Sequence, residues 1–340
     1  MRTSRQDIIH FIGKLTAAKV INILLITASF WWSRLWRKPV IWGKPVSLAV
    51  EPTTACNLRC PECPSGLRSF TRPTGQIDYQ LFTKIIDEQA PTLSYLLLYF
   101  QGEPFLHKDF LSLVSYAHQK GIYTATSTNA HYFDDQTAKA TVLSGLDRLI
   151  ISIDGTTQQV YEQYRVGGRL DKVLDGARKL VYWRQQLNRS KPYLIFQFLV
   201  VRPNEHQTDE VRKLAREIGI DKVAFKTAQL YDFEEGHELM PANPAYARYL
   251  LTPTGKYELK NKLYNHCWKM WHNPVITWDG TVVPCCFDKD ARHPMGNVSE
   301  NGFAAIWHGA AYHDFRKRLL TGRQRIDICK NCTEGTRVWV

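Results

Sequence analysis

The chain has 340 residues, 44% hydrophobic and 22% charged, with a formal charge of +12. That balance belongs to a globular protein and excludes a disordered chain or one lying wholly within a membrane. The length allows one large domain or two ordinary ones, each with ample core.

The first 38 residues carry Arg2, Arg5, Lys14, Lys19, Arg34, Arg37 and Lys38 against Asp7 alone, a net +6 and half of the total. Basic charge gathered beside apolar residues points to a membrane surface rather than to nucleic acid, so no nucleic-acid partner is expected. The apolar segment Val20–Trp32 is shorter than the roughly 20 residues that cross a bilayer comfortably. No A-x-A-like cleavage site follows it. Tryptophans at 31, 32 and 36 flanked by Arg and Lys suit a helix lying in a lipid interface. They equally suit a helix packed on the outside of the following domain. Residues 1–45 are therefore read as a basic, apolar helical segment, a candidate membrane-surface anchor.

Val46–Val50 is an apolar run of strand type. Directly after it comes Cys56-Asn57-Leu58-Arg59-Cys60-Pro61-Glu62-Cys63, three cysteines within eight residues. Thiolates are soft ligands that suit iron–sulfur clusters or zinc. A [4Fe–4S] cube takes four, so three leave one iron open to a ligand that is not protein unless a fourth joins from elsewhere. Zinc remains the alternative on spacing alone, although its sites usually pair ligands two to four residues apart and also need a fourth.

Further strand-like stretches follow at Tyr95–Phe100, Tyr123–Ser127, Leu149–Ile153, Ile195–Val201 and Val223–Thr227. Helical patterns lie between them over Tyr79–Gln89, Phe110–Gln119, 170–187 and 205–217. This alternation implies parallel strands with crossover helices. An open six-stranded barrel and a flat doubly wound sheet fit the pattern equally. In either, chemistry gathers at the C-terminal ends of the strands. There the chain places Gln101-Gly102-Glu103-Pro104, Ser127-Thr128-Asn129 and Ser152-Ile153-Asp154-Gly155, followed by Arg165 in Tyr164-Arg165-Val166-Gly167-Gly168. Asn204 and Lys226 point the same way. Each alone reads as a cap or turn.

The spacing C-x3-C-x2-C, followed by these motifs in this order, resembles the radical S-adenosylmethionine (SAM) superfamily. The resemblance implies an α/β fold with a partial (β/α)6 barrel over residues 46–235. It implies that Cys56, Cys60 and Cys63 hold a [4Fe–4S] cluster whose open iron chelates the amino and carboxylate groups of SAM. Gly102, Glu103 and Pro104 match the element that holds the SAM amino group. Ser127, Asn129, Ser152 and Asp154 stand where the family contacts the sugar and carboxylate, and Arg165 where an Arg pairs with the carboxylate.

Tyr231–Asn265 is rich in charge, Pro and Tyr and shows no clear periodicity, so it reads as a bridge. A second cysteine group then runs through Cys267, Cys285, Cys286, Cys329 and Cys332. Asp279-Gly280 between two apolar runs signals a hairpin that returns Cys285 toward Cys267, and a helix follows over about 302–320. This order of parts resembles the C-terminal SPASM/Twitch extension of radical SAM proteins, so 236–340 is expected to be a small α+β domain. A full SPASM domain carries more cysteines, for two clusters; here there are five. Cys267, Cys285, Cys329 and Cys332 suffice for one auxiliary [4Fe–4S] cluster, with Cys286 spare or replacing Cys285. A zinc site of four cysteines is the alternative.

The resemblance further implies reductive SAM cleavage to a 5′-deoxyadenosyl radical and oxidation or cross-linking of a substrate, an alcohol carbon or a peptide or protein side chain. The auxiliary cluster would accept an electron. The other readings are a small-molecule or RNA modifier whose auxiliary cluster binds substrate, and a non-catalytic iron–sulfur or zinc protein. A low-potential donor such as flavodoxin or ferredoxin is implied, in a cytoplasmic setting. No catalytic base is assigned. Lys226, Asp232, Glu234, Glu235 and Asp288 are candidates by position only.

Overall fold

The computed structural model describes residues 4–338; Arg2 lies outside the described residues. Two helices come first, α1 over Ser4–Ile12 and α2 over Ala17–Trp36. The Thr16 hydroxyl accepts from the Lys19 amide at 3.4 Å at the start of α2, satisfying one of the orphan donors of a helix N-terminus. The helix stops where Arg37 turns left-handed, at φ 53°. The apolar run Val20–Trp32 is thus the middle of a longer helix. No single described helix is long and apolar enough to cross a membrane, while the bent pair Arg5–Ile12 and Ala17–Trp36 is so by length and composition only.

The six expected parallel strands form as β1 (Ser47–Val50), β2 (Tyr95–Leu97), β3 (Tyr123–Thr128), β4 (Arg148–Ser152), β5 (Tyr193–Val200) and β6 (Lys222–Thr227). Helices Tyr79–Gln89 and Phe110–Gln119 have the expected bounds, and 170–187 forms as Leu170–Gln186. The segment 205–217 begins as a 3-10 turn, Glu205–Gln207, before the helix Thr208–Ile218. In the bridge, β7 (Tyr249–Leu251) and β8 (Tyr257–Leu259) make an antiparallel hairpin. Strands of three residues are too short for alternation to stand out, which is why sequence reading saw no period there. The Asp279-Gly280 hairpin joins β9 (Val275–Ile276) to β10 (Thr281–Val283), and β11 (Gly296–Asn297) pairs with β10. The helix expected over 302–320 is broken at Gly309 into Phe303–Trp307 and Ala310–Gly322.

The chain folds as two compact units. One comprises the segments through His10, Cys56–Ser69 and Ala125–Asn261; the other comprises Phe11–Ala55, Phe70–Thr124 and the chain from Lys262 onward. In the first, β3, β4, β5 and β6 run parallel in that order, with Ser127 opposite Ile150, Ser152 opposite Gln197 and Val200 opposite Thr227. β3 is buried along its whole length, as expected of a parallel strand covered on both faces. In the second, the order is β11-β10-β9-β1-β2, with β1 parallel to both β2 and β9. Phe30 of α2 packs edge-on against Trp268 and Trp271, centroids 5.2 and 5.6 Å away.

One buried ion pair locks the first unit. Arg184, on the helix Leu170–Gln186, donates to Asp221 at the entry to β6, and Asp221 also accepts from the Leu194 amide at 2.8 Å. Their side chains are 6% and 2% exposed. Removing one partner leaves a buried, uncompensated charge, which costs about 3–5 kcal/mol. Arg184→Met is therefore expected to lower unfolding stability by about that amount in denaturant titration, with α-helix content at zero denaturant retained.

Candidate active site and auxiliary cysteine site

The three-cysteine loop belongs to the first unit and contains all of that unit's cysteines. It is shaped from below by Gly66: a Cβ there would lie 2.5 Å from the Cys60 amide nitrogen. From the side, the Arg59 amide donates to Val166 O at 2.9 Å. Cys60 is buried, while Cys56 and Cys63 are partly exposed. Burial pushes the Cys60 thiol up, against the opposing pull of the Arg165 guanidinium. Arg165 Nη1 stands 3.8 Å from Cys60 Sγ, so a fixed cation faces the loop's most buried sulfur.

Asp154 is fully buried behind that cation. Its Oδ2 accepts from Arg165 Nε, and its Oδ1 accepts from the Leu199 amide at 2.6 Å. With each carboxylate oxygen holding a protein donor, Asp154 serves to aim Arg165. Asn129, just past the end of β3, donates from Nδ2 to Asn57 Oδ1 at 2.7 Å, tying a strand end to the cysteine loop. Ser127 and Ser152 are buried at the C-terminal ends of β3 and β4.

Glu62, inside the loop, escaped the sequence reading. It accepts from the Tyr231 amide at 3.0 Å and lies 3.3 Å from His237 Nε2, so the bridge segment is tethered to the cysteine loop. Only the position of Glu62 between Cys60 and Cys63 could have marked it. Among the residues considered as bases, Asp288 accepts from the Arg292 and His293 amides at 2.8 Å each, and Glu235 pairs with Lys256 at 3.1 Å. Both have structural partners.

Gly102-Glu103-Pro104 lies in the second unit. Gly102 adopts φ +75°, and a Cβ there would be 2.3 Å from Thr53 O; only glycine permits both the conformation and the approach. β2 ends before this point because the backbone must leave the ladder to reach Thr53 and Ala55. The Glu103 amide donates to Ala55 O at 2.7 Å. Its carboxylate is buried and accepts from the Phe105 amide at 3.2 Å, capping the turn Pro104–Leu106.

The second unit also gathers the C-terminal cysteines. Burial holds Cys285 well above the usual thiol range, with a further push from Cys286, Cys332 and Cys267. Burial likewise raises Cys329 to about 11 and Cys332 to about 12, and both feel Cys267. Cys285 thus lies beside Cys286, Cys332 and Cys267, and Cys329 and Cys332 lie beside Cys267. Gly335 stands against Cys267, since a Cβ there would fall 2.2 Å from Cys267 Sγ. Arg323, fully buried, directs Nη2 to Cys332 Sγ at 3.4 Å and to Glu334 O at 2.8 Å. Cys286, beside Cys285, also packs against the cluster of Ala49, Phe100, Val275 and Val283, with Lys269 Nζ 3.9 Å from its sulfur. Arg323 and Lys269 carry no sequence signal; only folding brings them to the thiols.

Both donor sets fit iron–sulfur chemistry: soft thiols, buried or partly buried, with fixed cations that would offset the charge created by ligation. After anaerobic reconstitution, Cys285→Ala is expected to lose the auxiliary cluster's iron and Cys286→Ala to keep it, as read by iron and sulfide counting. Arg323→Gln should shift the auxiliary cluster's reduction potential downward by on the order of tens of millivolts in an EPR-monitored titration, because a nearby positive charge favours the reduced state.

Comparison with known proteins agrees with this chemistry. The radical SAM superfamily profile matches residues 50–181, and that of the SPASM iron–sulfur cluster-binding domain matches 267–333. The chain is 25% identical over 329 residues to the tungsten-containing aldehyde ferredoxin oxidoreductase cofactor-modifying protein of Pyrococcus furiosus, covering 84% of this chain and 86% of that one. It is 31% identical over 189 residues to the PqqA peptide cyclase of Gluconobacter oxydans, covering 55% of this chain and half of that protein. The fold is shared with Streptococcus suis SuiB bound to S-adenosylmethionine, at a TM-score of 0.61 and 14% identity over 85% of this chain and 72% of that one. The chain belongs to the radical SAM superfamily: it is an enzyme of α/β partial-barrel fold with a C-terminal SPASM iron–sulfur domain, and it works with S-adenosylmethionine and [4Fe–4S] clusters.

Proposed function

We propose that this enzyme carries out a two-electron oxidation or cross-linking of its substrate, at an alcohol carbon or on a side chain of a peptide or protein. The observation that carries this reading is that Cys285 lies beside Cys267 and Cys332, and Cys329 beside Cys267, so these four can be drawn to one cluster, while Cys286, also beside Cys285, packs against the apolar cluster of Phe100 and Val283. Four thiolates saturate a cube, leaving no iron for substrate, so a single auxiliary cluster of this kind is suited to accept an electron. An auxiliary cluster that docks a small molecule or an RNA would require one of those four cysteines to be withdrawn. A peptide is the favoured substrate class, because the PqqA peptide cyclase is among the relatives.

In this reading residues 46–235 form the SAM-binding core and 236–340 the bridge and auxiliary domain. Cys56, Cys60 and Cys63 hold the first cluster. When bound, the clusters and SAM supply reductive SAM cleavage, hydrogen abstraction by a 5′-deoxyadenosyl radical, and an acceptor for the second electron. The chain's own groups position the reactants. Gly102, Glu103 and Pro104 would receive the SAM amino group. Ser127, Asn129 and Ser152 would contact its sugar and carboxylate, and Arg165, whose guanidinium Asp154 fixes from behind, would pair with that carboxylate. A flavodoxin- or ferredoxin-type donor reduces the enzyme in the cytoplasm.

Two measurements test this reading. Arg165→Gln should weaken SAM binding about ten- to hundredfold, the worth of a charge-assisted hydrogen bond or two. Asp154→Asn should weaken it in the same direction, with binding measured per loaded cluster because Arg165 also faces Cys60. Reconstituted enzyme should hold about eight irons and release 5′-deoxyadenosine with dithionite and SAM, an activity lost in the Cys56/Cys60/Cys63 triple Ala variant. Zinc in place of iron, or loaded clusters that never cleave SAM, would overturn the proposal.

A further inference from the structure

Helix α2 is amphipathic in the inverted sense. A surface helix ordinarily turns its apolar stripe to the protein and its polar face to water. Here the buried positions are Lys19, Asn22, Ile26, Ser29, Phe30 and Ser33, four of them polar. Each polar one is engaged by backbone within its own unit. Lys19 Nζ donates to Gly121 O at 2.6 Å. Asn22 Nδ2 donates to Lys44 O at 3.0 Å while its Oδ1 accepts from the Lys44 amide at 2.8 Å. Ser29 Oγ accepts from the Trp42 amide at 2.8 Å, and Ser33 Oγ from the Val40 amide at 2.8 Å.

The opposite face is apolar and exposed. Ile21, Leu24, Trp31, Trp32 and Leu35 are 56, 63, 48, 48 and 74% exposed. Trp36 and Trp42 extend this surface at its C-terminal end, where Trp32 lies 5.8 Å from each by ring centroid. The polar bonds run along the helix from Lys19 to Ser33, so α2 cannot roll over to hide its apolar face.

Charge selects what covers it. No Asp or Glu occurs between Asp7 and Glu51, while Lys14, Lys19, Arg34, Arg37, Lys38 and Lys44 all fall there. Arg34, Arg37 and Lys38 are exposed at the tryptophan-rich end, with Arg34 stacked 5.0 Å over Trp31. A second copy of this face would bring like charges together. Apolar residues edged by Trp and Arg, with the helix held along its length against protein, match the interface of an anionic bilayer. We propose that α2 docks the enzyme peripherally on an anionic lipid surface, lying in the plane of the interface with Leu24, Trp31, Trp32 and Leu35 inserted.

The test is co-flotation of the full-length, cluster-loaded protein with vesicles of phosphatidylcholine containing phosphatidylglycerol, beside vesicles of phosphatidylcholine alone. The expected result is flotation with the mixed vesicles and a blue shift of tryptophan emission. Binding to phosphatidylcholine alone should be weaker by on the order of a hundredfold, as three cations near the surface imply. Leu24→Glu with Leu35→Glu should abolish flotation while iron content and SAM cleavage stay as in the parent. Arg34→Glu/Arg37→Glu/Lys38→Glu should erase the preference for phosphatidylglycerol. The proposal is overturned if the parent does not float, or if the double Glu variant floats equally well. It is also overturned if light scattering shows a parent dimer that the double Glu variant dissolves, which would make a second copy the occupant.

Discussion

Sulfur ligands taken out of water need fixed positive charge beside them, and this protein meets that constraint in both units. Burial is the largest cause that raises Cys60, Cys285, Cys329 and Cys332. Ligation of iron by these thiols would leave negative charge in a poorly solvated place. Arg165 answers it at the three-cysteine loop and Arg323 at the four-cysteine site. Each guanidinium is itself secured, Arg165 by Asp154 and Arg323 by the carbonyls of His266 and Glu334. The cations are therefore part of the scaffold and not mobile counter-ions.

The same logic explains why so much of the chain serves the loops. A parallel strand ends in backbone that the next helix does not satisfy, and here the strand ends are spent on the site. Asn129 past β3 holds Asn57 of the cysteine loop, while Asp154 past β4 holds Arg165. After β2, Gly102 brings the backbone against Thr53 at a distance no side chain allows. The tether from Glu62 to Tyr231 and His237 adds the bridge to this scheme, coupling a segment of modest regular structure to the ligand loop.

α2 inverts the ordinary arrangement of a surface helix. Its hydroxyl, amide and ammonium groups are used inward, on carbonyls and amides of the chain, which removes the penalty of burying them. Its apolar residues are left outward. Such a helix is stable on the protein because its polar face is fully partnered, and it is unfinished because its apolar face is not.

Much of the fold was legible in advance because its signals are local. Apolar runs bounded by polar corners marked β1 through β6, the 3.6-residue period marked Tyr79–Gln89 and Phe110–Gln119, and Asp279-Gly280 marked the β9–β10 hairpin. The cysteine spacing marked the first thiol group, since thiols on one short loop lie close in sequence, whereas the second, spread from Cys267 to Cys332, was marked by the order of its parts. What the tertiary structure decided is set by contacts between residues far apart in the chain. The nearness of Cys285 to Cys267 and Cys332 depends on chain segments far apart in sequence. The role of Asp154 depends on Arg165 and Leu199, and Arg323 gains its part only beside Cys332. The orientation of α2 depends on backbone at Val40, Trp42, Lys44 and Gly121. Composition and periodicity describe a residue's neighbours along the chain, whereas burial, charge pairing and the facing of a helix are settled by neighbours in space.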